Sequence, residues 1–259
     1  MTESGSFMTL SHGQLIVALD VDTFEEAARL VEALGSTVEI FKVGSQLFVA
    51  CGPEIVRYLQ SQGKKVFLDL KFHDIPNTVA QSTSRAIAMG VNFSKPRGRG
   101  IPGLFMLTIH TQGGEAMLKA AVQASRETAK QFNVKPPLVV GVTVLTSEAK
   151  GDNITTLVLE RSLLAKHSGL EGVVASPQEA GLIRRELGQD FIIVTPGIRP
   201  EDIPVDDQQR TVTPREAILK GSDYLVVGRP IIKAPQPLKA AEKILDEIRI
   251  ASQDVRRKM

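Results

Sequence analysis

Eight short, apolar, β-prone runs recur along the chain: LIVALD (15–20), VEIFKVG (38–44), KVFLDLK (65–71), LFMLTIH (104–110), LVVGVTV (138–144), EGVVAS (171–176), FIIVT (191–195) and YLVVG (224–228). Most are near-continuous rather than alternating, the pattern of strands covered on both faces. Between them lie stretches with helical spacing and helix punctuation. Thr23 is placed as an N-cap with Glu26 three residues on, which predicts a capping box. Pro53 opens the next helix and Gly63 closes it. Further helices are predicted from Pro76, over Glu115 to about Gln131, Ile154–His167, Pro177–Leu187, Pro214–Leu219 and Gln236 to about Ile250. Eight strands alternating with eight helices predict a (β/α)8 barrel, with an open doubly wound sheet as the structural alternative. No linker divides the pattern, so residues 1–259 read as one domain with its core at about 15–250.

Two segments break the rhythm. The first, at about 93–103, carries Lys95, Arg97 and Arg99 among prolines and glycines. It is predicted as a basic loop insertion on the N-terminal face, most simply a solvated surface. The second runs from Thr195 to about Thr213, after the seventh strand. That is the face where barrel enzymes keep their chemistry, so a long loop there is a lid candidate.

Composition narrows the classes. Lysine and arginine number 31 against 29 aspartates and glutamates, a net charge of +2. This balance argues against a nucleic-acid grip or a polybasic membrane surface spread over the whole protein, so any anion site must be local. The one cysteine, Cys51, excludes an internal disulfide and a multi-cysteine zinc site, and it points to a reducing compartment. The opening residues have neither the basic nor the apolar region of a signal peptide, and no apolar run reaches the ~18 residues of a membrane span. A cytoplasmic protein is expected.

The ionisable groups at the strand ends carry the chemistry. Asp20 closes the first strand, Lys42 lies near the end of the second, Asp69 and Lys71 end the third, and Asp74 follows in the turn. In a regular strand Asp69 and Lys71 share a face, about 6–7 Å apart. In a barrel, Asp20, Lys42, Asp69 and Lys71 converge at the C-terminal mouth. Buried charges are costly unless paired, and an alternating acid–base row satisfies that requirement. Held beside Asp69 and Asp74, Lys71 is expected to act as a fixed cation and proton donor rather than a Schiff-base nucleophile. Thr195-Pro196-Gly197-Ile198-Arg199 and Gly228-Arg229-Pro230 follow the last two strands, where barrels commonly bind phosphate.

The run Asp69-Leu70-Lys71-Phe72-His73-Asp74-Ile75-Pro76-Asn77-Thr78 resembles the signature of the orotidine 5′-phosphate decarboxylase family. FKVG (41–44), VTVLTS (142–147), TPGIRP (195–200), DQQR (207–210) and VVGRPI (226–231) agree with it in order, from about Leu15 to Leu238. The resemblance implies a homodimeric (β/α)8 barrel that converts orotidine 5′-monophosphate to UMP and CO2 in de novo pyrimidine biosynthesis, without metal or organic cofactor. It implies that Lys71 stabilises and protonates a C6 carbanion, within an array of Asp69, Asp74 and Lys42. Asp74, Ile75 and Thr78 would serve the neighbouring subunit, Asp20 and Lys42 the ribose, and Thr146 the pyrimidine. Arg199, Gln208, Gly228 and Arg229 would hold the phosphate.

Two rivals remain at this level. Metal-dependent sugar-phosphate enzymes share the Asp-x-Lys-x-x-Asp core. A catalytically silent barrel that binds nucleotide phosphate, or nucleic acid through the insertion, would not need an intact array. The remaining candidates are plainer. His73 reads as a positioning residue, His110 equally as a packed strand-end histidine or a substrate contact, and Cys51 as a small packed residue.

Overall fold

The computed structural model describes residues 14–89, 91, 104–145, 153–200 and 212–258. Its strands are β1 (Leu15–Ala18), β2 (Ile40–Gly44), β3 (Lys65–Phe72), β4 (Met106–His110), β5 (Leu138–Val142), β6 (Gly172–Val174), β7 (Ile192–Thr195) and β8 (Tyr224–Val227). All pair in parallel with their sequence neighbours, and β8 pairs back onto β1 to close a barrel. Closure eliminates the open-sheet alternative. The basic insertion at 93–103 lies outside the described residues.

The intervening helices are α1 (Phe24–Leu34), α2 (Ser45–Cys51), α3 (Pro53–Ser61), α4 (Pro76–Met89), α5 (Gly114–Phe132), α6 (Ile154–His167), α7 (Pro177–Leu187), α8 (Pro214–Leu219), α9 (Arg229–Ile232) and α10 (Pro237–Lys258). Three differ from the sequence expectation, one being α9, a single additional turn after Gly228 with Pro230 at its start. Helix α2 is additional; it is bounded by Gly44 and Gly52 and buries only Leu47, so it leaves almost no periodic signal. Helix α10 runs past Ile250, because Ala251 is buried and Val255 packs against the core. The Thr23 cap forms through the Glu26 amide at 3.2 Å, but the Glu26 carboxylate accepts from the Asp22 amide instead of closing the box on Thr23. A complete capping box, between Thr213 and Glu216, opens α8.

The core has two layers. Leu15, Val17, Leu19, Phe41, Val43, Val66 and Leu68 belong to the larger one, which includes buried residues of the surrounding helices such as Leu34, Leu59 and Ile183. The smaller one comprises Ile16, Ile40, Phe67, Met106, Val140 and Val194. Alternate residues of a strand share a face, so this second set fills the barrel interior. One step of two further along the same stripe stand Ala18, Lys42, Asp69, Thr108 and Val142, and there the interior turns from hydrocarbon to charge.

Ahead of β7 and β8 a different network ties the barrel to its helices. The Arg184 guanidinium on α7 donates to the carbonyls of Gly188, Gln189, Phe191 and Gly221 and to the Asp223 carboxylate at 2.6 Å. Asp223 also accepts the Ile193 amide at 2.7 Å. Burial pushes the Asp223 carboxyl up, and the guanidinium opposes that shift. Arg184→Ala strips four carbonyls and a carboxylate of their shared donor. It is expected to cost about 2–4 kcal/mol in urea unfolding, whereas a loss below 0.5 kcal/mol would place the network outside the stability-determining set.

Candidate active site

The C-terminal ends of the strands surround a cavity of about 270 Å³. Phe67, Val174 and Val226 belong both to the barrel interior and to the cavity wall, so they form an apolar floor. Above it stand Asp20, Lys42, Asp69 and Lys71 on one arc, with Arg199 and Arg229 also lining the cavity.

The four groups on the first arc form an alternating row. Lys42 Nζ lies 3.0 Å from Asp20 Oδ1 and 3.6 Å from Asp69 Oδ2, and Lys71 Nζ lies 2.9 Å from the same Asp69 oxygen. Lys42 and Asp69 are the buried members, with side chains only 10% and 12% exposed. Lys71 is more open, at 39%, and it lines the cavity. The expected convergence of Asp20, Lys42, Asp69 and Lys71 is therefore present. Gly44 makes room for it. A Cβ there would lie 2.9 Å from Lys42 Nζ and 3.5 Å from Asp20 Oδ1, so a larger residue would crowd the pair.

The route by which Asp69 and Lys71 meet differs from the regular strand assumed from sequence. Leu68 pairs with Leu107 and Phe72 with Ile109, so β3 spends four steps where β4 spends two. Inside this bulge Lys71 adopts φ 51°, the left-handed region. Bulges re-aim side chains near active sites. Thr108 on β4 sits against it. Its hydroxyl donates to Asp69 Oδ1 at 3.0 Å and accepts the Lys71 amide at 2.9 Å. Sequence reasoning missed Thr108, because a threonine inside a β-prone run looks like an ordinary strand former.

The remaining candidates distribute as follows. Asp74, Ile75 and Thr78 are exposed around the first turn of α4, and the Asp74 carboxylate accepts its neighbour's amide, Ile75 N, at 2.6 Å. Among the described residues, no ion pair or hydrogen bond joins Asp74 to Lys71 within this chain. Arg199 is buried at the cavity wall beyond Gly197, whose φ is 77°. Gly228 packs near Asp20 and Ala18, with Arg229 next to it at the start of α9. Ile198 bridges Val212, and the Arg199 amide donates to Val212 O at 2.9 Å, so the long loop after β7 is drawn together at its base. Gln208 on that loop, and Thr146 after β5, lie outside the described residues. Arg161 on α6 donates to Thr143 O at 2.5 Å, fixing the strand end that leads to Thr146.

His110 is buried and stacks on His73 with ring centroids 5.4 Å apart. Its Nδ1 accepts the Gln112 amide at 3.4 Å. It is absent from the cavity wall, which favours the packed alternative. Cys51 is half-buried, and burial with Glu25 and Glu54 nearby pushes its thiol up, away from nucleophile behaviour. Among the described residues, no group of three or more His, Cys, Asp or Glu side chains is placed to hold a metal ion. Among them, too, no helix is long and apolar enough to cross a membrane.

Comparison with known proteins agrees with this geometry. Residues 13–244 match the sequence model of the orotidine 5′-phosphate decarboxylase / HUMPS family. The chain is 45% identical over 249 residues to the orotidine 5′-phosphate decarboxylase of Syntrophotalea carbinolica, covering 93% of this chain and 97% of that one. It is 44% identical to the protein of the same name from Saccharophagus degradans, covering 95% and 99%. The crystal structure of orotidine 5′-phosphate decarboxylase from Lactobacillus acidophilus superposes with a TM-score of 0.75 at 34% identity, covering 91% of this chain and 98% of the other.

The geometry makes Asp69 the keystone of the row, with two ammonium groups on one oxygen. Asp69→Asn leaves Lys42 and Lys71 facing each other and is expected to cost about 3 kcal/mol in urea unfolding. Lys71→Met, at the open end of the row, should cost less than about 1 kcal/mol. Equal losses would contradict the central place of Asp69.

Proposed function

Because the chain belongs to the orotidine 5′-phosphate decarboxylase / HUMPS family, we propose that it converts orotidine 5′-monophosphate to UMP and CO2 in pyrimidine biosynthesis. The observation that carries this reading is the Asp20–Lys42–Asp69–Lys71 row on the wall of a cavity whose rim also presents Arg199 and Arg229.

The chemistry follows from where charge develops. The bond between C6 and the carboxylate breaks, CO2 departs, and the electron pair stays on C6 in the plane of the ring, where the ring π system cannot absorb it. Preorganised charge has to stabilise that pair, and the Lys71 ammonium supplies it. Lys71 Nζ then gives its proton to C6, forming UMP, and is reprotonated from solvent. Asp69 holds the ammonium by the 2.9 Å contact. Lys42, shared between Asp20 and Asp69, holds Asp69 in turn and, with Asp20, takes the ribose hydroxyls.

Phosphate is held at the other side of the mouth by the Arg199 and Arg229 guanidiniums and the Gly228 backbone, with Gln208 brought in by the long loop. Binding energy gained there, remote from C6, drives loop closure and raises turnover. Thr146 is the residue that this reading assigns to the pyrimidine. Asp74, Ile75 and Thr78 reach into the site of a second subunit. Ile75 at 66% and Val49 at 85% exposure are large apolar side chains left open to solvent, which a homodimer would cover. A single half-buried cysteine suits a reducing cytoplasm.

The decisive assay follows the loss of orotate absorbance in purified protein with excess EDTA. Turnover that persists in chelator is expected, and activity lost on chelation and restored by a divalent cation would favour the sugar-phosphate class. Lys71→Ala should retain the fold by circular dichroism yet lose nearly all turnover; wild-type kcat would remove Lys71 from its role. Arg229→Ala is expected to lower kcat/KM for the nucleotide by about 10–100-fold, the loss of one charge-assisted contact to phosphate. Unchanged kcat/KM would displace phosphate from that rim.

A further inference from the structure

We propose that Thr108 is a positioning residue for this site: its hydroxyl sets both the Asp69 carboxylate and the left-handed backbone of Lys71. The inference rests on the decarboxylase reading for its kinetic consequence, but its geometric content stands on contacts within the chain.

A hydroxyl has one proton to donate and lone pairs to accept with. Thr108 commits its proton to Asp69 Oδ1 at 3.0 Å and a lone pair to the Lys71 amide at 2.9 Å. The residue is 1% exposed, so solvent does not compete for either bond. With Oδ1 occupied, Oδ2 is the oxygen that Asp69 presents to both Lys71 and Lys42. Rotation of the carboxylate would break the Thr108 bond and both ion pairs together. Threonine is also stiff at χ1, so β4 fixes where the hydroxyl points.

The second bond addresses the backbone. The bulge between Leu68 and Phe72 interrupts the regular β3–β4 ladder where Lys71 sits, and the Thr108 hydroxyl takes up the Lys71 amide. Among the described residues, the non-glycine positions with positive φ are Lys71 and Asn133. Asn133 caps α5, a place where asparagine adopts that conformation readily. Lys71 is neither short nor at a helix end, so its conformation has to be held by its surroundings. One side chain thus anchors the acceptor of the Lys71 ammonium and the main chain from which that ammonium extends.

Thr108→Val keeps the shape and removes both bonds, Thr108→Ser keeps the hydroxyl, and Thr108→Cys replaces it with a weak donor and acceptor. Loss of alignment at the reacting groups is expected to lower kcat of Thr108→Val on the order of 10²-fold, with KM for the nucleotide little changed. Thr108→Ser should restore most of the rate, and Thr108→Cys should fall between. If Thr108→Val does not fold, the comparison of Ser with Cys decides, and equal kcat in those two overturns the proposal. A folded Thr108→Val with wild-type kcat overturns it as well, since a purely structural threonine would lower the melting temperature alone. A crystal structure of Thr108→Val, or of Thr108→Cys if valine prevents folding, reads the geometry without substrate. A turned Asp69 carboxylate or a relaxed Lys71 φ is expected, and an unchanged row refutes the assignment. An unmodified protein that fails to decarboxylate the nucleotide would strike the function proposed above, and the crystal structure would still judge Thr108.

Discussion

One carboxylate oxygen shared by two ammonium groups is the constraint on which the site depends. Asp69 Oδ2 faces Lys71 at 2.9 Å and Lys42 at 3.6 Å, and Lys42 is balanced in turn by Asp20. Remove the shared oxygen and two cations are left at the top of an apolar barrel. Parallel strands lie about 4.8 Å apart, so inward side chains from β1, β2 and β3 arrive at spacings that longer side chains close into ion pairs. Consecutive strand order is therefore a requirement of the row. If β2 did not lie between β1 and β3, the alternation of sign would fail.

The floor beneath the row matters as much as the row. Phe67, Val174 and Val226 close the cavity from below with hydrocarbon. Charges over such a floor are less screened than charges in water, and a fixed ammonium does not need to reorganise when negative charge appears. The guanidiniums of Arg199 and Arg229 belong to the segments after β7 and β8, away from the lysines in the chain but on the same cavity. On the proposed reading, this divides one cavity between a phosphate side and a reacting side, and binding at the first orients the second.

Much of this was legible in the sequence for a physical reason. Strands buried on both faces must be almost wholly apolar, so a charge at the end of such a run is conspicuous, and Asp20, Lys42, Asp69 and Lys71 were. The bulge was not legible, since residues 68–72 contain neither glycine nor proline to mark it. Thr108 was hidden because its residue type suits a strand whether or not its hydroxyl is used. Helix α2 escaped because burying one leucine gives no period to detect. Arg184 escaped because its partners are mostly backbone carbonyls, which have no sequence signature. Asp74 shows the opposite limit: the motif that contains it is plain, yet within one chain its side chain points to no described partner at the row.

The seam between β1 and β8 has a kinetic consequence. Seven of the strand pairings join neighbours in sequence, but Leu15 meets Leu225 across nearly the whole chain. Loop-closure entropy rises only slowly with length, by about 0.6 kcal/mol for each doubling, so the seam is affordable, yet distant pairings form late during folding. Asp20 follows the first strand and Arg229 the last, one on each side of that seam. A folding intermediate with the other seven pairings in place would have nearly native secondary structure and no working mouth. In a refolding experiment, the return of catalysis would therefore time the joining of the chain's two ends, an event that far-ultraviolet dichroism would scarcely register.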